Sequence, residues 1–214
     1  MRIVAVGAHP DDIELGCGGF LFDHAADGAQ VVAVVATNGG AGGDAERRGD
    51  ETEEAARILG IRDVIRIGLP DCGVRESREL TAELERIIGA SDVVLTHYPE
   101  DRHPDHRALG CAVRAAARRL RRILFFEVES TVGFVPTLFY PLSESTFGAK
   151  QAAIRAHATQ EQKPLSHSIC EQARSYALFR GNPLYRYAEG FMPGRWELQN
   201  ENNFRFETGT RRET

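Results

Sequence analysis

Two short segments of the chain are apolar throughout and rich in β-branched residues. They are RIVAVGA at 2–8 and VVAVVAT at 31–37. Neither shows the alternation of a half-exposed strand, which indicates strands covered on both faces, as in a parallel sheet. Shorter apolar segments predict further strands over 63–68, 92–97 and 122–128.

Segments with helical spacing separate these strands. The pattern predicts one helix within 18–29 that ends near Gly28, and others over 45–61, 79–89 and 104–120. Strand and helix alternate five times, which is typical of right-handed βαβ units. We therefore predict an α/β fold with a Rossmann-like, doubly wound, mostly parallel sheet.

The pattern becomes less regular after residue 128. Helices are predicted over 144–159 and near 167–179, whereas PTLFYPLS (136–143) and YRYAEGFM (185–192) have no clear period. The sequence contains neither a linker nor an internal repeat, so we predict a single domain over 1–197. The segment 198–214 is predicted to be a polar C-terminal tail.

Composition narrows the class of protein. The 214 residues are 42% hydrophobic and 27% charged, as in ordinary soluble proteins. The net charge of −5 argues against a nucleic-acid partner. No apolar run approaches the roughly 20 residues that span a bilayer, and the N-terminus is a poor signal peptide. The four cysteines form no CxxC pair, so we expect free thiols, a cytoplasmic location and no membrane partner.

Polar residues follow the predicted strands at their carboxyl ends, where open α/β sheets bind ligands. His9, Asp11 and Asp12 follow the first strand, Asp71 follows the third, and the His-rich segment 97–106 follows the fourth. These segments should therefore lie together on one edge of the sheet. A small-molecule partner is the expected ligand.

The residue types at this edge indicate a metal site. His103 and His106 lie at a predicted helix start and can point the same way from one turn. Two imidazoles and one carboxylate from separate strand ends are typical of catalytic zinc, with a fourth position left for water, although other divalent ions also accept these ligands. A cation would offset the repulsion between Asp11 and Asp12, so that one binds it while the other takes a proton from the water.

AHPDDIELGCGG (8–19) together with HPDHRALG (103–110) resembles the LmbE-like, or PIG-L, family of zinc-dependent de-N-acetylases. Other segments resemble the family's later motifs. They are TNGGAGG (37–43), RGDETEEAARILG (48–60), GLPD (68–71), KQAAIRAHATQ (150–160) and YAEGF (187–191). The resemblance covers about residues 2–192. It implies an amidohydrolase that removes the acetyl group from an N-acetylglucosamine-type conjugate by attack of metal-bound water.

The resemblance also implies roles for particular residues. His9, Asp12 and His106 would bind one Zn²⁺ per chain, and Asp11 would be the general base. His103 would be an imidazolium that stabilises the oxyanion, oriented by Asp105. Arg48 and Asp71 match positions that contact the sugar.

Family members often form oligomers, so a homo-oligomer is also expected. Candidate contact residues are Phe134, Leu138, Phe139 and Tyr140. One departure concerns Asp101, which occupies the position where some members have a carbonyl-polarising tyrosine. Tyr98 cannot be assumed to replace it.

Structural roles compete with these assignments. Asp12 could be a helix N-cap, Arg48 could pair with Asp44 or Glu51 on a surface helix, and Asp71 suits a turn. His97 and His157 are more often structural than ligating. At the level of function, the alternatives are a metal-dependent hydrolase of another amide or of a phosphoester, and a non-catalytic zinc-containing sugar-binding protein.

Overall fold

A computed structural model describes residues 1–162 and 168–197. The strands are β1 (Arg2–Gly7), β2 (Gln30–Thr37), β3 (Asp63–Leu69), β4 (Val93–His97), β5 (Arg122–Phe126), β6 (Leu138–Leu142) and β7 (Tyr187–Trp196). The helices are α1 (Asp12–Ala26), α2 (Ala45–Ile58), α3 (Arg78–Ile88), α4 (Pro104–Ala116), α5 (Glu144–Ala156), α6 (Ala158–Glu161) and α7 (Ile169–Arg180), with a 3₁₀ turn at Gly40–Gly42. The predicted tail 198–214 lies outside the described residues.

The seven strands form one sheet in the order β3-β2-β1-β4-β5-β7-β6. The first five are parallel, whereas β7 runs antiparallel to both β5 and β6. The chain order reverses between β1 and β4, so the carboxyl ends of these two strands open a crevice. The prediction of an α/β, doubly wound, mostly parallel sheet is confirmed.

Both faces of the central strands are buried, which explains their continuous apolar sequences. In β1, Ile3 and Ala5 pack into one core with α1, α2 and α5, while Val4 and Val6 pack into a second core with α3 and α4. All four side chains are fully buried. A polar residue at any of them would lose its hydration without a partner.

Side-chain caps fix where most helices begin. Asp44, Ser77, Ser143 and Ser168 each accept a hydrogen bond from the backbone N–H three residues later. α4 begins after His103, with Pro104 in its first turn, as the sequence predicts. The helices end earlier than predicted in several cases, at Ile58, Ala116 and Ala156.

One prediction of local structure was wrong. α1 begins at Asp12, six residues before the predicted helix, because the chain turns sharply at Asp11 (φ 112°) directly into a helix. The segments around 138–142 and 187–196 are paired strands, although their sequences lack a strand period. Of the residues suggested for a subunit contact, Leu138 and Phe139 are exposed on the edge strand β6, while Phe134 and Tyr140 are half-buried. Among the described helices, none has the length and apolar character needed to cross a membrane.

Gly16 brings α1 into close contact with the sheet. A Cβ at this position would collide with the ring of Phe126, which is fully buried on β5. The Phe126 ring in turn packs edge-on against His97, with ring centroids 4.9 Å apart. The missing side chain therefore sets how closely the first turns of α1 approach the carboxyl ends of β4 and β5.

We expect Gly16→Ala to lower the free energy of unfolding by about 1–3 kcal/mol, because the added methyl overpacks the contact with Phe126. Gly148→Ala in α5 is the matched control, since a Cβ there meets no atom within 4 Å. That change should raise the free energy of unfolding by about 0.5–1 kcal/mol through helix propensity. Urea unfolding measures both, and equal effects of the two substitutions would contradict the close approach.

Candidate metal centre and active site

A cavity of about 360 Å³ lies beyond the carboxyl ends of β1, β3 and β4. This volume is at the lower end of the range of about 300–1,000 Å³ for small-molecule pockets. The residues that line it are His9, Asp11, Asp12, Leu15, Ala41, Gly42, Arg48, Asp71, Cys72, His103, His106, Val128, Glu129, Ser130, Gln160 and Ile169. The topology therefore brings the segments after the first, third and fourth strands to one place. This is the expected position of a ligand site in an open α/β sheet, beyond the carboxyl ends of the strands where the strand order reverses.

Three side chains in this cavity converge through their ligating atoms. His9 Nδ1 lies 3.1 Å from His106 Nε2 and 3.4 Å from Asp12 Oδ2, and His106 Nε2 lies 3.4 Å from Asp12 Oδ1. Tetrahedral zinc with bonds of about 2.0–2.1 Å separates its ligand atoms by about 3.4 Å. The two imidazole nitrogens thus lie close together, and each is near a different oxygen of the Asp12 carboxylate, so these three residues could hold a divalent cation.

The opposite nitrogen of His9 is held by carboxylates. Its Nε2 lies 3.3 Å from Asp105 Oδ2 and 3.2 Å from Asp71 Oδ1. Asp105 Oδ1 accepts a hydrogen bond from the backbone N–H of Val74, which anchors this carboxylate. We assign the ring hydrogen of His9 to Nε2, where it donates to a carboxylate and leaves the Nδ1 lone pair for a metal.

His106 is oriented in the same manner by a different pair of residues. Its Nδ1 lies 3.0 Å from Ser130 Oγ and 3.4 Å from Asp101 Oδ1. Asp101 is itself fixed by hydrogen bonds from Thr131 Oγ1 and from the backbone N–H of His103. With its hydrogen on Nδ1, the ring presents the Nε2 lone pair to the cavity.

Asp12 is anchored through one of its oxygens. Oδ2 accepts a 2.7 Å hydrogen bond from the backbone N–H of His9 and lies 3.1 Å from His97 Nε2. Burial would raise the pKa of Asp12, but the charge of His106 and the hydrogen bonds with His9 and His97 hold that pKa well below its ordinary value. Asp12 is therefore an ionised ligand candidate rather than a helix N-cap, a position that Asp11 occupies.

His97 supports the site from beneath. Its ring is fully buried and stacks on His106 with centroids 4.0 Å apart. Burial, followed by the charge of His106, lowers the pKa of His97 to about 4, so the ring is neutral. Its Nε2 lies 3.0 Å from the backbone N of Ala8 as well as near Asp12, and it serves one or the other according to the tautomer.

The electrostatics of the cavity favour a cation. Five aspartates lie in it or directly behind it, at positions 11, 12, 71, 101 and 105, whereas Arg48 is the one lysine or arginine among the described residues that line it. Burial lowers the pKa of His9, but the hydrogen bond with Asp12 and the surrounding carboxylates outweigh burial and raise that pKa to about 9. A divalent ion would supply the positive charge that these carboxylates otherwise draw from a protonated imidazole.

Asp11 stands at the sharp turn between β1 and α1. Its left-handed backbone (φ 112°, ψ −27°) is strained for a residue with a side chain, and such strain is concentrated at functional sites. Its Oδ2 lies 3.4 Å from Arg48 Nη2. Burial, followed by the charge of Asp12, raises the pKa of Asp11 to about 6. A carboxylate with this pKa is suited to exchanging protons near neutral pH.

The surroundings of His103 differ from those that the resemblance implies. Its Nδ1 accepts a 3.2 Å hydrogen bond from the backbone N–H of Asp105, which requires a lone pair on that nitrogen. Burial, then the charges of His106 and His9, lower the pKa of His103. Both observations favour a neutral ring with its hydrogen on Nε2 over the imidazolium that the resemblance implies. The Asp105 carboxylate contacts His9 instead of the His103 ring, because it points back toward Val74.

Arg48 is not an exposed residue on a surface helix, as the alternative hypothesis of a pair with Asp44 or Glu51 would require. It is 3% exposed and donates to the backbone carbonyls of Gly39 and Pro10, at 2.8 and 2.7 Å. Its neighbour Arg47 pairs with Glu51. The predicted turn role of Asp71 is present, since its carboxylate accepts from the backbone N–H groups of Ala41 and Cys72. Both residues also line the cavity, so their predicted sugar contacts stay open as predictions.

Sequence reasoning missed the residues that orient the ligands. Asp101, flagged only as a replaced tyrosine, supports His106, while Tyr98 packs against Phe125 and Phe134. His97, for which the sequence favours a structural role, lies at the carboxyl end of β4 beside Asp12 and supports the site from there. The position of His97 at the end of a predicted strand is the sequence feature that could have indicated its place at the site. Ser130 carries no signal in the sequence.

Comparisons with known proteins show which family the chain resembles. The sequence profile of the family described as PIG-L, GlcNAc-PI de-N-acetylase, matches residues 4–117. The chain is 39% identical over 165 residues to the uncharacterized deacetylase YaiS of Escherichia coli, covering 72% of this chain and 89% of that protein. It is 28% identical to the diacetylchitobiose deacetylase of Thermococcus kodakarensis, covering 90% of this chain and 84% of that one.

A solved structure has a similar fold. It is an N,N′-diacetylchitobiose deacetylase from Pyrococcus horikoshii in complex with an inhibitor. The two structures superpose with a TM-score of 0.78 at 25% sequence identity, covering 90% of this chain and 83% of the other. The similarity extends over nearly all of the described fold.

Asp105→Asn distinguishes two roles of this carboxylate, which are to orient His9 through Nε2 or to orient His103. The amide nitrogen of asparagine would face His9 Nε2 and favour the tautomer with hydrogen on Nδ1, which blocks the ligating nitrogen. We expect the affinity for Zn²⁺ to fall about 10- to 100-fold, as for other outer partners of metal ligands. Competition with a chromophoric chelator measures this affinity. Asp63→Asn, at the opposite end of the sheet, is the control.

Unchanged metal affinity with reduced turnover in Asp105→Asn would contradict the contact with His9. That result would return Asp105 to the role beside His103 that the resemblance implies.

Proposed function

The chain belongs to the PIG-L family, and we propose that it removes the acetyl group from an N-acetylglucosamine-type amino sugar with one zinc ion held by His9, Asp12 and His106. It is an enzyme of the deacetylase class, a hydrolase acting on linear amides. The observation that carries the proposal is the convergence of two imidazole nitrogens, 3.1 Å apart, each 3.4 Å from one oxygen of the Asp12 carboxylate, in a cavity that also contains Asp11 and His103.

The donor set fits a divalent cation with an open coordination position. When bound, such an ion lowers the pKa of a coordinated water and polarises the acyl oxygen of the substrate. Two imidazole nitrogens and one carboxylate oxygen are ligands that zinc prefers, and other borderline divalent ions accept them too. Among the described residues, the second carboxylate cluster, Asp71 with Asp105, is engaged with His9 Nε2 and with backbone N–H groups, which supports one ion per chain rather than two.

Asp11 is proposed as the proton carrier. It takes a proton from the attacking water while the new C–O bond forms at the acetyl carbon. It then gives the proton to the departing nitrogen as the C–N bond breaks, so acetate and a free amine result. A carboxyl whose pKa is raised toward neutrality can perform both transfers.

His103 is proposed as the hydrogen-bond donor to the developing oxyanion. With Nδ1 held by the backbone of Asp105, its Nε2–H is the available donor of the ring. The ring lies between His9 and His106, at centroid distances of 4.7 and 4.5 Å, which fixes its direction. A preorganised donor aimed at the site of charge development stabilises the transition state without having to reorient.

The substrate proposed is a small amino sugar conjugate. Two of the relatives are named for acetylated amino sugars as substrates, and the cavity has the volume of a small-molecule pocket. Arg48 and Asp71 are proposed to contact that ring or to hold the loops around it. We also propose a cytoplasmic location, since the four cysteines are free thiols, and a homo-oligomer that uses the exposed edge strand β6.

Acetate release tests the activity directly. The purified protein should release acetate from N,N′-diacetylchitobiose or another N-acetylglucosamine conjugate, lose this activity on treatment with a chelator, and regain it with Zn²⁺. Zinc bound at one per chain with no acetate from any conjugate would favour the sugar-binding protein instead. Phosphate release from a phosphoester without acetate release would favour the other hydrolase.

Asp11→Asn tests the proton carrier. Asparagine tolerates left-handed backbone better than most residues, so the turn should be preserved. We expect zinc content and the melting temperature to stay close to those of the wild type while kcat falls about 10²–10⁴-fold, the usual contribution of a general base. Metal analysis and acetate assays on the same preparation measure both quantities.

Asp27→Asn, at the C-terminus of α1 and away from the cavity, is the matched control and should leave kcat unchanged. Wild-type turnover in Asp11→Asn would remove Asp11 from the mechanism.

A further inference from the structure

Helix α1 is broken at Cys17, a short distance after the residues of the proposed metal centre. Cys17 has φ −147° and ψ 18°, outside the helical region, although residues on both sides are helical. The first part of α1 carries Asp12, Leu15 and Gly16, and the second part packs Phe20 and Leu21 into the core. The break therefore separates a functional turn from a structural helix.

Two buried charged side chains take over the hydrogen bonds at this break. In an unbroken helix, the N–H of Gly19 would donate to the carbonyl of Leu15. Here Gly19 N donates to Glu189 Oε1 and Phe20 N donates to Glu189 Oε2, both at 2.8 Å. The carbonyl of Leu15 accepts instead from Lys150 Nζ at 2.9 Å.

Lys150 and Glu189 also bind each other. Lys150 Nζ lies 2.6 Å from Glu189 Oε1, and the two residues are 3% and 4% exposed. Lys150 comes from α5 and Glu189 from β7, so the pair fastens two later elements to α1. The carboxylate stands at the N-terminus of the second helical part and the ammonium at the C-terminus of the first, as the helix dipoles favour.

We propose that the Lys150–Glu189 pair is a positioning device for the metal centre, which fixes the direction of the turn that carries Asp11 and Asp12. This inference rests on the proposed function. The turn is held at its start by the hydrogen bond from His9 N to Asp12 and at its end by Lys150 on the Leu15 carbonyl. Without the second attachment, the Asp12 carboxylate would keep its backbone anchor but lose its fixed approach to His106.

A purely structural pair would give a different result. Such a pair would lower stability when broken and leave the geometry of the metal site intact in the molecules that stay folded. The positioning role requires that the site change in the folded protein. A readout of the metal environment therefore distinguishes the two roles.

Lys150→Met is the principal variant, tested with cobalt(II) as the probe. We expect the affinity for cobalt(II) to fall about 10- to 100-fold and the visible absorption bands of the bound ion to shift. Lys150→Arg, which keeps the charge and the donors, should recover part of the affinity. In acetate assays, kcat should fall more than KM rises, because the base and the ligand are displaced together.

Arg180→Met is the matched control. Arg180 and Glu127 form a comparable pair at 2.6 and 2.7 Å, with side chains 14% and 10% exposed against 3% and 2% for Lys150 and Glu189, and within the described residues neither hydrogen-bonds to the backbone of α1. This variant should lose stability yet keep the cobalt(II) spectrum and affinity of the wild type. Thermal unfolding measures the melting temperatures of Arg180→Met and Lys150→Met, so that the two variants are compared at similar loss of stability.

Glu189→Gln is the second variant, used where Lys150→Met does not fold. Glutamine can accept from one of the two N–H groups, so a smaller loss of cobalt(II) affinity is expected. Wild-type affinity and spectrum in either folded variant would overturn the positioning role, as would failure of both to fold, which would assign the pair to the fold as a whole. If the wild-type protein itself bound no cobalt(II), the proposed metal centre would fail instead.

Discussion

Negative charge concentrated at one edge of the sheet is the constraint around which the molecule is arranged. Five aspartates lie in or directly behind the cavity beyond the carboxyl ends of three strands, and Arg48, the one arginine among the described residues that line it, is already committed to backbone carbonyls. Buried carboxylates are costly unless each is paired or hydrogen-bonded. The fold meets this cost with backbone N–H groups and imidazoles, and the arrangement is complete when a divalent cation stands among them.

Each imidazole has a fixed tautomer, which is set by the group that contacts the ring nitrogen facing away from the cavity. His9 turns Nε2 to carboxylates and His106 turns Nδ1 to Ser130 and Asp101, so each ring leaves the other nitrogen for the cavity. His103 differs, because a backbone N–H occupies its Nδ1 and leaves a donor at Nε2. Three histidines of one cluster therefore present two acceptors and one donor, which separates the tasks of binding a cation and binding an oxyanion.

The sequence allows the topology and the membership of the site to be predicted, since both follow from long-range rules. Apolar strands alternate with helices, and polar segments follow the strands, so His9, Asp12 and His106 had to meet if the sheet was parallel. Side-chain direction could not be predicted in the same way. The contact of Asp105 with His9 depends on the backbone of Val74. The early start of α1 depends on a left-handed turn at Asp11, a conformation that is uncommon for residues other than glycine.

The later half of the chain contributes to the site by holding α1 in place. Lys150 and Glu189 lie in segments that carry no ligand, yet both reach the backbone of α1 within one turn of the cavity wall at Leu15. A continuous helix would have satisfied its own hydrogen bonds and needed neither residue. By breaking at Cys17, α1 makes the direction of its first turn depend on α5 and β7. Burying the Lys150–Glu189 ion pair costs free energy, but the pair couples β7 to the residues that follow β1. This coupling explains why charged residues occupy two positions that apolar side chains could otherwise fill.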